Sequence, residues 1–142
     1  KAKKNNCEII TPLDVAVSES MNGEAKLKDL NKITDNEMIL DIGSKTIEKI
    51  YNIIDISKTV LWNGPAGYFE NENFSKGTIS IAEKISNMTK SRSLISIVGG
   101  GDTVSAVKNN HINIDFTHLS TAGGAFLEYI EGKNLPGVEV LK

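Results

Sequence analysis

Ser96-Ile97-Val98-Gly99-Gly100-Gly101-Asp102-Thr103 decides how the chain is read. It closes a short apolar run, Ser93 to Val98, whose β-branched side chains predict a strand. Three glycines then let the backbone turn tightly and lie bare against a ligand. Thr103-Val104-Ser105-Ala106-Val107 opens a helix behind them, so unpaired N–H groups and the positive end of the helix dipole face any anion above the glycines. Phosphate is the natural guest. A carboxylate beside phosphate oxygens repels them unless a cation lies between, so Asp102 points to Mg²⁺ and the expected ligand is a magnesium nucleotide. A Gly-Gly-Gly turn is also ordinary punctuation between strand and helix, and Asp102 is equally a candidate helix N-cap. Neither Gly-x-x-x-x-Gly-Lys-Ser/Thr nor Gly-x-Gly-x-x-Gly occurs, which argues against both common nucleotide folds in their usual form.

The same strand, glycine turn and helix recur on either side. Downstream, Phe116 to Leu119 reads as strand, Ser120-Thr121-Ala122-Gly123-Gly124 as turn, and Ala125 to Glu131 as a helix ended by Gly132. Upstream, Thr59 to Trp62 is a strand, Asn63-Gly64-Pro65-Ala66-Gly67 a loop, and Phe74, Thr78, Ile81, Ala82, Ile85 and Met88 mark a helix face. Before that, Glu37 to Ile42 predicts a strand and Gly43-Ser44-Lys45-Thr46 a turn, with Ile47, Ile50, Tyr51 and Ile54 at helical spacing. Ser18 to Asn36 is polar and is expected as a surface excursion with a turn at Asn22-Gly23. Cys7 to Ile10 and Leu13 to Val17 read as one strand interrupted at Thr11-Pro12. Lys1 to Lys4 look like the exposed end of a helix.

Strands alternating with helices, and lacking a polar face, predict an α/β fold: a three-layer parallel sheet covered by helices on both faces. Ligands in such sheets sit beyond the carboxyl ends of the strands, where all four glycine turns are expected. The helix starts behind Gly101 and Gly124 are then placed to converge on one phosphate chain, an arrangement suited to phosphoryl transfer.

Composition narrows the classes further. The chain has 142 residues, 39% hydrophobic and 24% charged, an ordinary soluble composition of single-domain size. A net charge of −2, evenly scattered, gives no reason to expect nucleic acid or an anionic membrane as partner. Cys7 is the sole cysteine, which excludes an intramolecular disulfide and a cysteine-rich zinc site and fits a reducing cytoplasm. The chain opens on lysine without a signal peptide or long apolar span, and is expected to be a piece of a longer one.

Asp41-Ile42-Gly43-Ser44-Lys45-Thr46, Val60 to Glu70, Ser96 to Thr103, Phe116 to Ala125, and Leu127-Glu128 through Leu135-Pro136-Gly137-Val138 stand in one order. Together they resemble the phosphoglycerate kinase family, over nearly the whole length of this chain but about the last third of a complete enzyme. The resemblance implies that residues 1–142 are part of the Rossmann-like, nucleotide-binding C-terminal domain, incomplete by itself. It implies reversible phosphoryl transfer between 1,3-bisphosphoglycerate and Mg-ADP, giving 3-phosphoglycerate and ATP, in a cytoplasmic and monomeric parent enzyme. By position, Glu70 is implied as the ribose-hydroxyl ligand, Asn63 as a neighbour of the phosphates, and Leu40 with Tyr68 as lining of the adenine slot. Gly100, Gly101, Asp102 and Thr103 are implied as the phosphate and Mg²⁺ site. Gly101 and Gly124 would offer N–H groups to the phosphoryl in flight, whose charge spreads over its equatorial oxygens. No general base is expected, because an acyl phosphate reacts through positioning and charge neutralisation.

Glu70 also reads as a solvated surface carboxylate, Trp62 as core, Asn63 as a cap on the turn before Pro65, and Lys45 and Thr46 as surface residues. His111 and His118 read as loop or turn residues rather than metal ligands or bases. Three positions depart from the family pattern. Ala122 replaces a glycine, at a cost of about 1 kcal/mol if the site needs φ > 0. Ser44 stands for a proline and can supply an N-cap hydroxyl. Tyr68 is bulkier than the usual aliphatic.

The family's basic residues that grip the transferring phosphoryl, and its 3-phosphoglycerate site in the N-terminal domain, have no counterpart here. The chain is therefore expected to be inactive alone, to leave apolar surface and an open sheet edge exposed, and to fold marginally. Rival readings are a non-catalytic nucleotide-binding fragment, an α/β interaction module, and an oxidoreductase, the last disfavoured by the missing dinucleotide pattern.

Overall fold

Residues 1–109 and 114–141 are described by the structure, a computed structural model. His111 lies outside the described residues. The chain begins with a short 3-10 turn, Ala2–Asn5, and then runs without a sheet partner to Asp14. Cys7 to Ile10 is therefore not the first half of a strand. Pro12 interrupts the backbone between it and β1 (Asp14–Ser18), and no neighbouring strand offers it a ladder.

β1 is the centre of an antiparallel sheet of order β2-β1-β3, with β2 at Lys26–Asp29 and β3 at Met38–Ile42. All five β1 residues are buried. β2 falls inside the stretch expected as a surface excursion. Its sequence Lys-Leu-Lys-Asp buries nothing fully, and what makes it a strand is backbone pairing, Val15 opposite Lys28 and Val17 opposite Lys26.

From β3 onward the alternation holds: α1 (Ser44–Ile56), β4 (Thr59–Asn63), α2 (Lys76–Lys90), β5 (Ile95–Gly99), α3 (Gly101–Asn109), β6 (His118–Ser120), α4 (Gly124–Ile130) and the short α5 (Pro136–Glu139). β4, β5 and β6 form a parallel sheet in that order. The α/β class expected from the sequence is thus present in this half. The strands before it are a separate antiparallel sheet, because β3 pairs with β1 and not with β4.

Three parallel strands laid down in one direction by right-handed crossovers put both connecting helices on one face. The packing agrees: Ile81, Ala82 and Ile85 of α2 and Val107 of α3 meet Trp62, Val98 and Ile54 in one core. Fully burying a side chain such as Ile85 or Val98 contributes about 1.5–3 kcal/mol. Phe116 meets Trp62 edge-on, ring centroids 6.3 Å apart. Ahead of β6 the ladder is continued by side chains: Ser96 N–H donates to Thr117 Oγ1 (3.1 Å) and Thr117 N–H returns a bond to Ser96 Oγ (3.0 Å). On the opposite face of the sheet, Phe126 of α4 reaches Gly99, while Leu61 and Ile95 remain 42% and 54% exposed. Apolar surface of that kind was expected from the sequence.

Candidate functional site

The helix that follows each strand starts in one of two ways. Behind β3, the first turn of α1 is closed by a carboxylate from β1. Asp14 accepts N–H bonds from Lys45 (3.1 Å) and Thr46 (2.9 Å) and the Thr46 hydroxyl proton (2.8 Å), while Thr46 Oγ1 accepts from Leu13 N–H (2.9 Å). Gly43 is required there, since a Cβ would strike the Asp14 carboxylate. Ser44 is the first helical residue and makes no side-chain cap, so the capping role expected of it belongs to Asp14. Thr46 is likewise buried rather than on the surface. Burial favours neutral Asp14, but the two N–H groups, the Thr46 hydroxyl and the Lys45 charge outweigh it and hold the pKa below the usual carboxylate value.

Behind β4, the first turn of α2 meets the carboxylate of Asp41, which accepts N–H bonds from Gly77 (2.8 Å) and its own neighbour Ile42 (2.8 Å). Here burial prevails over those bonds and the Lys76 charge, and pushes the Asp41 carboxyl up. Gly67 and Gly77 both lie where a side chain would collide with it. Neither acid was singled out in the sequence. The signal was there: Leu13-Asp14-Val15 and Leu40-Asp41-Ile42 each set a carboxylate inside an apolar strand, where it must find donors.

Behind β5 and β6 the arrangement is the reverse. The first intrahelical bond of α3 runs from Val104 N–H to Gly100 C=O (3.0 Å), and that of α4 from Leu127 N–H to Gly123 C=O (3.2 Å). The N–H groups before them have no helical carbonyl to reach. A Cβ on Gly101 or Gly124 would meet nothing within 4 Å, so both backbones are open. They border the same cleft of about 280 Å³, lined by Asn63, Gly64, Pro65, Gly100, Gly101, Asp102, Thr103, Gly123, Gly124 and Leu127. Gly100, at φ +95°, passes so close beneath Asn63 that a Cβ would sit 2.5 Å from its Oδ1. The turn behind β3 takes no part, having been filled by Asp14.

An adjoining cleft of about 330 Å³ shares Pro65 and is lined also by Val15, Leu40, Asp41, Ala66, Gly67 and Tyr68. Leu40 and Tyr68 are joined by a 2.7 Å bond from Tyr68 N–H to Leu40 C=O. Glu70 is exposed in the turn beyond Tyr68 and lines neither cleft. Asp102 is exposed at the mouth of the first cleft, where one carboxylate can hold Mg²⁺ if phosphate oxygens and water complete the shell. Thr103 borders the cleft and is wholly buried, and its hydroxyl accepts the Gly64 N–H (2.8 Å). Trp62 is core, as expected, yet its indole N–H also reaches Gly64 C=O (2.7 Å). Ala122 carries no left-handed strain, since Asn6 and Arg92 are the non-glycine residues with positive φ among those described. His118 opens β6 and is exposed, and no cluster of three metal-ligating side chains occurs among the described residues.

A roomier cleft, about 500 Å³, lies over the start of α1 among Asp14, Lys28, Asp29, Lys32 and Lys45. Its charges are already matched: Asp29 holds Lys45 (2.6 Å) and Lys32 (3.3 Å), and Glu37 holds Lys28 (2.8 Å). Size alone does not make it the site.

Residues 1–133 match the family model described as phosphoglycerate kinase. A phosphoglycerate kinase of Rhodopseudomonas palustris is 48% identical over 144 aligned residues, covering 100% of this chain and 36% of its own length. One from Orientia tsutsugamushi strain Boryong is 46% identical, covering 99% and 36%. The solved structure of phosphoglycerate kinase from Coxiella burnetii superposes with a TM-score of 0.88 at 38% identity over 99% of this chain and 36% of that one. That from Pyrococcus horikoshii OT3 gives 0.78 at 32% identity, over 92% and 32%. The chain thus spans about a third of the length of these relatives.

Proposed function

The chain belongs to the phosphoglycerate kinase family, and from that premise we propose that it supplies the magnesium-nucleotide half of a phosphoryl-transfer site, as part of the C-terminal domain of a longer enzyme. The reaction is reversible transfer between 1,3-bisphosphoglycerate and Mg-ADP, giving 3-phosphoglycerate and ATP. The observation that supports it most is that the open starts of α3 and α4 border one cleft, together with the loop after β4, while the starts of α1 and α2 are filled by carboxylates.

In this reading the phosphate chain of ADP lies against Gly100, Gly101 and Gly124, with the Asn63 amide at its edge. The N–H groups of Gly101 and Gly124 donate to the equatorial oxygens of the phosphoryl, each lowering the barrier by about 3 kcal/mol on the scale of oxyanion-hole deletions. Asp102 is the residue that would hold Mg²⁺, which would supply charge neutralisation when bound. Leu40 and Tyr68 receive the adenine in the adjoining cleft, and Glu70 accepts the ribose hydroxyl protons from the rim, a charge-assisted bond. The carboxylates Asp14 and Asp41 stay out of the chemistry, each already occupied by backbone donors. The groups that hold 3-phosphoglycerate belong to the two thirds of the relatives that this chain does not span. A cytoplasmic setting and a monomeric parent go with this reading; no described helix is long and apolar enough to cross a membrane.

Calorimetric titration with ADP, with and without Mg²⁺, tests the site. Binding strengthened by Mg²⁺ is expected, and heat-silent titrations in both conditions would refute the reading. A coupled assay is expected to record no turnover by the chain alone and restored turnover when a polypeptide matching the remainder of its relatives is co-expressed.

A further inference from the structure

We propose that Asn71 and Asn73 are positioning residues for Glu70, tying the turn that carries it to the tip of the β1–β2 hairpin. The inference rests on the nucleotide reading above, with Glu70 as acceptor of the ribose hydroxyl protons, and deepens it by giving the antiparallel sheet a part in holding that carboxylate.

Glu70 is exposed and lies in the turn that Asn71 N–H closes on Tyr68 C=O (3.2 Å), outside any strand or helix. A carboxylate on a free turn would lose conformational freedom on meeting a sugar, and that cost falls if the turn is fixed beforehand. The chain before Glu70 is fixed by two bonds, Ala66 N–H to Thr78 Oγ1 of α2 (3.0 Å) and Tyr68 N–H to Leu40 C=O of β3 (2.7 Å). The chain after it is fixed from 50 positions away. Asn71 Nδ2 donates to Met21 C=O (2.8 Å) and Asn73 Nδ2 to Gly23 C=O (3.0 Å). The two pairs run in the same order at the same spacing, so the turns lie along one another instead of touching at a point.

Each turn is shaped for this. Gly23 N–H donates to Ser20 C=O (3.1 Å), and a Cβ on Gly23 would strike the Ser18 hydroxyl, so the hairpin tip is closed tightly and carbonyls 21 and 23 meet the two asparagines. Asn71 Oδ1 accepts Asn73 N–H (2.9 Å), which sets the two side-chain amides next to each other. Behind them Phe74 is wholly buried, packed with Ala16 of β1, Leu40 of β3 and Tyr68. The segment after Glu70 is thus held to the antiparallel sheet twice, by a ring in the core and by amides at the tip. Asn71 and Asn73 line neither cleft, so their route to the ligand is through Glu70.

The test is calorimetry of the chain with ADP and with 2′,3′-dideoxy-ADP, both in Mg²⁺, the second lacking the hydroxyls that Glu70 would bind. Asn71→Ser keeps an acceptor for Asn73 N–H and loses the donor to Met21; it is expected to weaken ADP about fivefold and the dideoxy nucleotide by less than about twofold. Asn73→Ala is expected to weaken ADP about threefold, with the dideoxy nucleotide again within about twofold of the original. In a Glu70→Ala background neither substitution is expected to change ADP affinity further, because the group they position is gone. Equal losses of the two nucleotides, unchanged ADP affinity in both variants, or losses that add fully to that of Glu70→Ala would overturn the inference while leaving the nucleotide site intact. Equal binding of the two nucleotides by the unsubstituted chain would take Glu70 off the ribose and the inference with it, and binding of neither would remove the site reading as well. Should Asn71→Ser not fold, Asn73→Ala decides by the same comparison.

Discussion

The starts of α1 and α2 differ from those of α3 and α4 in what occupies them. All four follow strands and all four begin with or near glycine, so the local sequences look alike. At α1 and α2 the glycine admits a buried carboxylate from the antiparallel sheet, and the positive end of the helix is satisfied from within. At α3 and α4 the glycine faces open space, and the same electrostatics is left for a ligand. A glycine turn before a helix is thus a place for an anion in general; whether that anion is internal or external is settled by residues 31 to 36 positions away.

The contrast can be broken most severely at Asp14. Asp14→Ala strips the Lys45 and Thr46 N–H groups of their acceptor, leaving the Thr46 hydroxyl only the Asp14 carbonyl, and is expected to lower unfolding free energy by about 3 kcal/mol, read by urea titration. Next comes a sign reversal between glycines. Gly77→Ala, despite the better helix former, pushes a methyl into Asp41 and to 2.6 Å from Ile42 Cγ1 and is expected to cost about 2 kcal/mol. Gly101→Ala meets nothing and is expected to raise stability by about 0.5 kcal/mol. Both are measured by the same titration. Asp102→Asn should leave stability alone and remove the dependence of ADP binding on Mg²⁺, a loss of about tenfold in affinity at saturating metal, seen by calorimetry.

The smallest effect is the pH dependence, where the two internal carboxylates have opposite signs. Asp14 has a folded pKa below its ordinary 3.8, so its contribution is complete above that value and lost as the pH falls through the folded pKa. Glu37 behaves the same way, held by the Lys28 ammonium and the Thr34 N–H down to about 2 from an ordinary 4.5. Asp41, raised above 3.8 by burial, contributes fully below 3.8 and loses that contribution as the pH rises through its folded value. Urea titrations from about pH 3 to about pH 7 should therefore find a shallower acid-side loss in Asp14→Asn and a steeper one in Asp41→Asn than in the unsubstituted chain.

How much of this could be read from the sequence follows the same division. Units with their own periodicity were legible: Ile47, Ile50 and Ile54 announce α1, Ile81 and Ile85 announce α2, and the glycine stretches mark the cleft. Features made by distant partners were not. β2 is a strand only because β1 lies beside it, and Cys7 to Ile10 is none because nothing does. Asp14, Asp41, Thr46 and Thr78 look like ordinary strand or helix residues until their partners are known. Thr103, assigned to the cleft from its place beside Asp102, does line it, and the bond its hydroxyl accepts from Gly64 N–H, 39 positions away, is what the sequence does not announce.

The chain has one tryptophan, and its indole N–H is tied to the carbonyl of Gly64. Ultraviolet emission excited selectively at the tryptophan therefore originates next to the loop that borders both clefts. A shift in its wavelength or lifetime on adding a ligand is an optical record of that peptide changing place, obtainable without any dye and resolvable in time by rapid mixing.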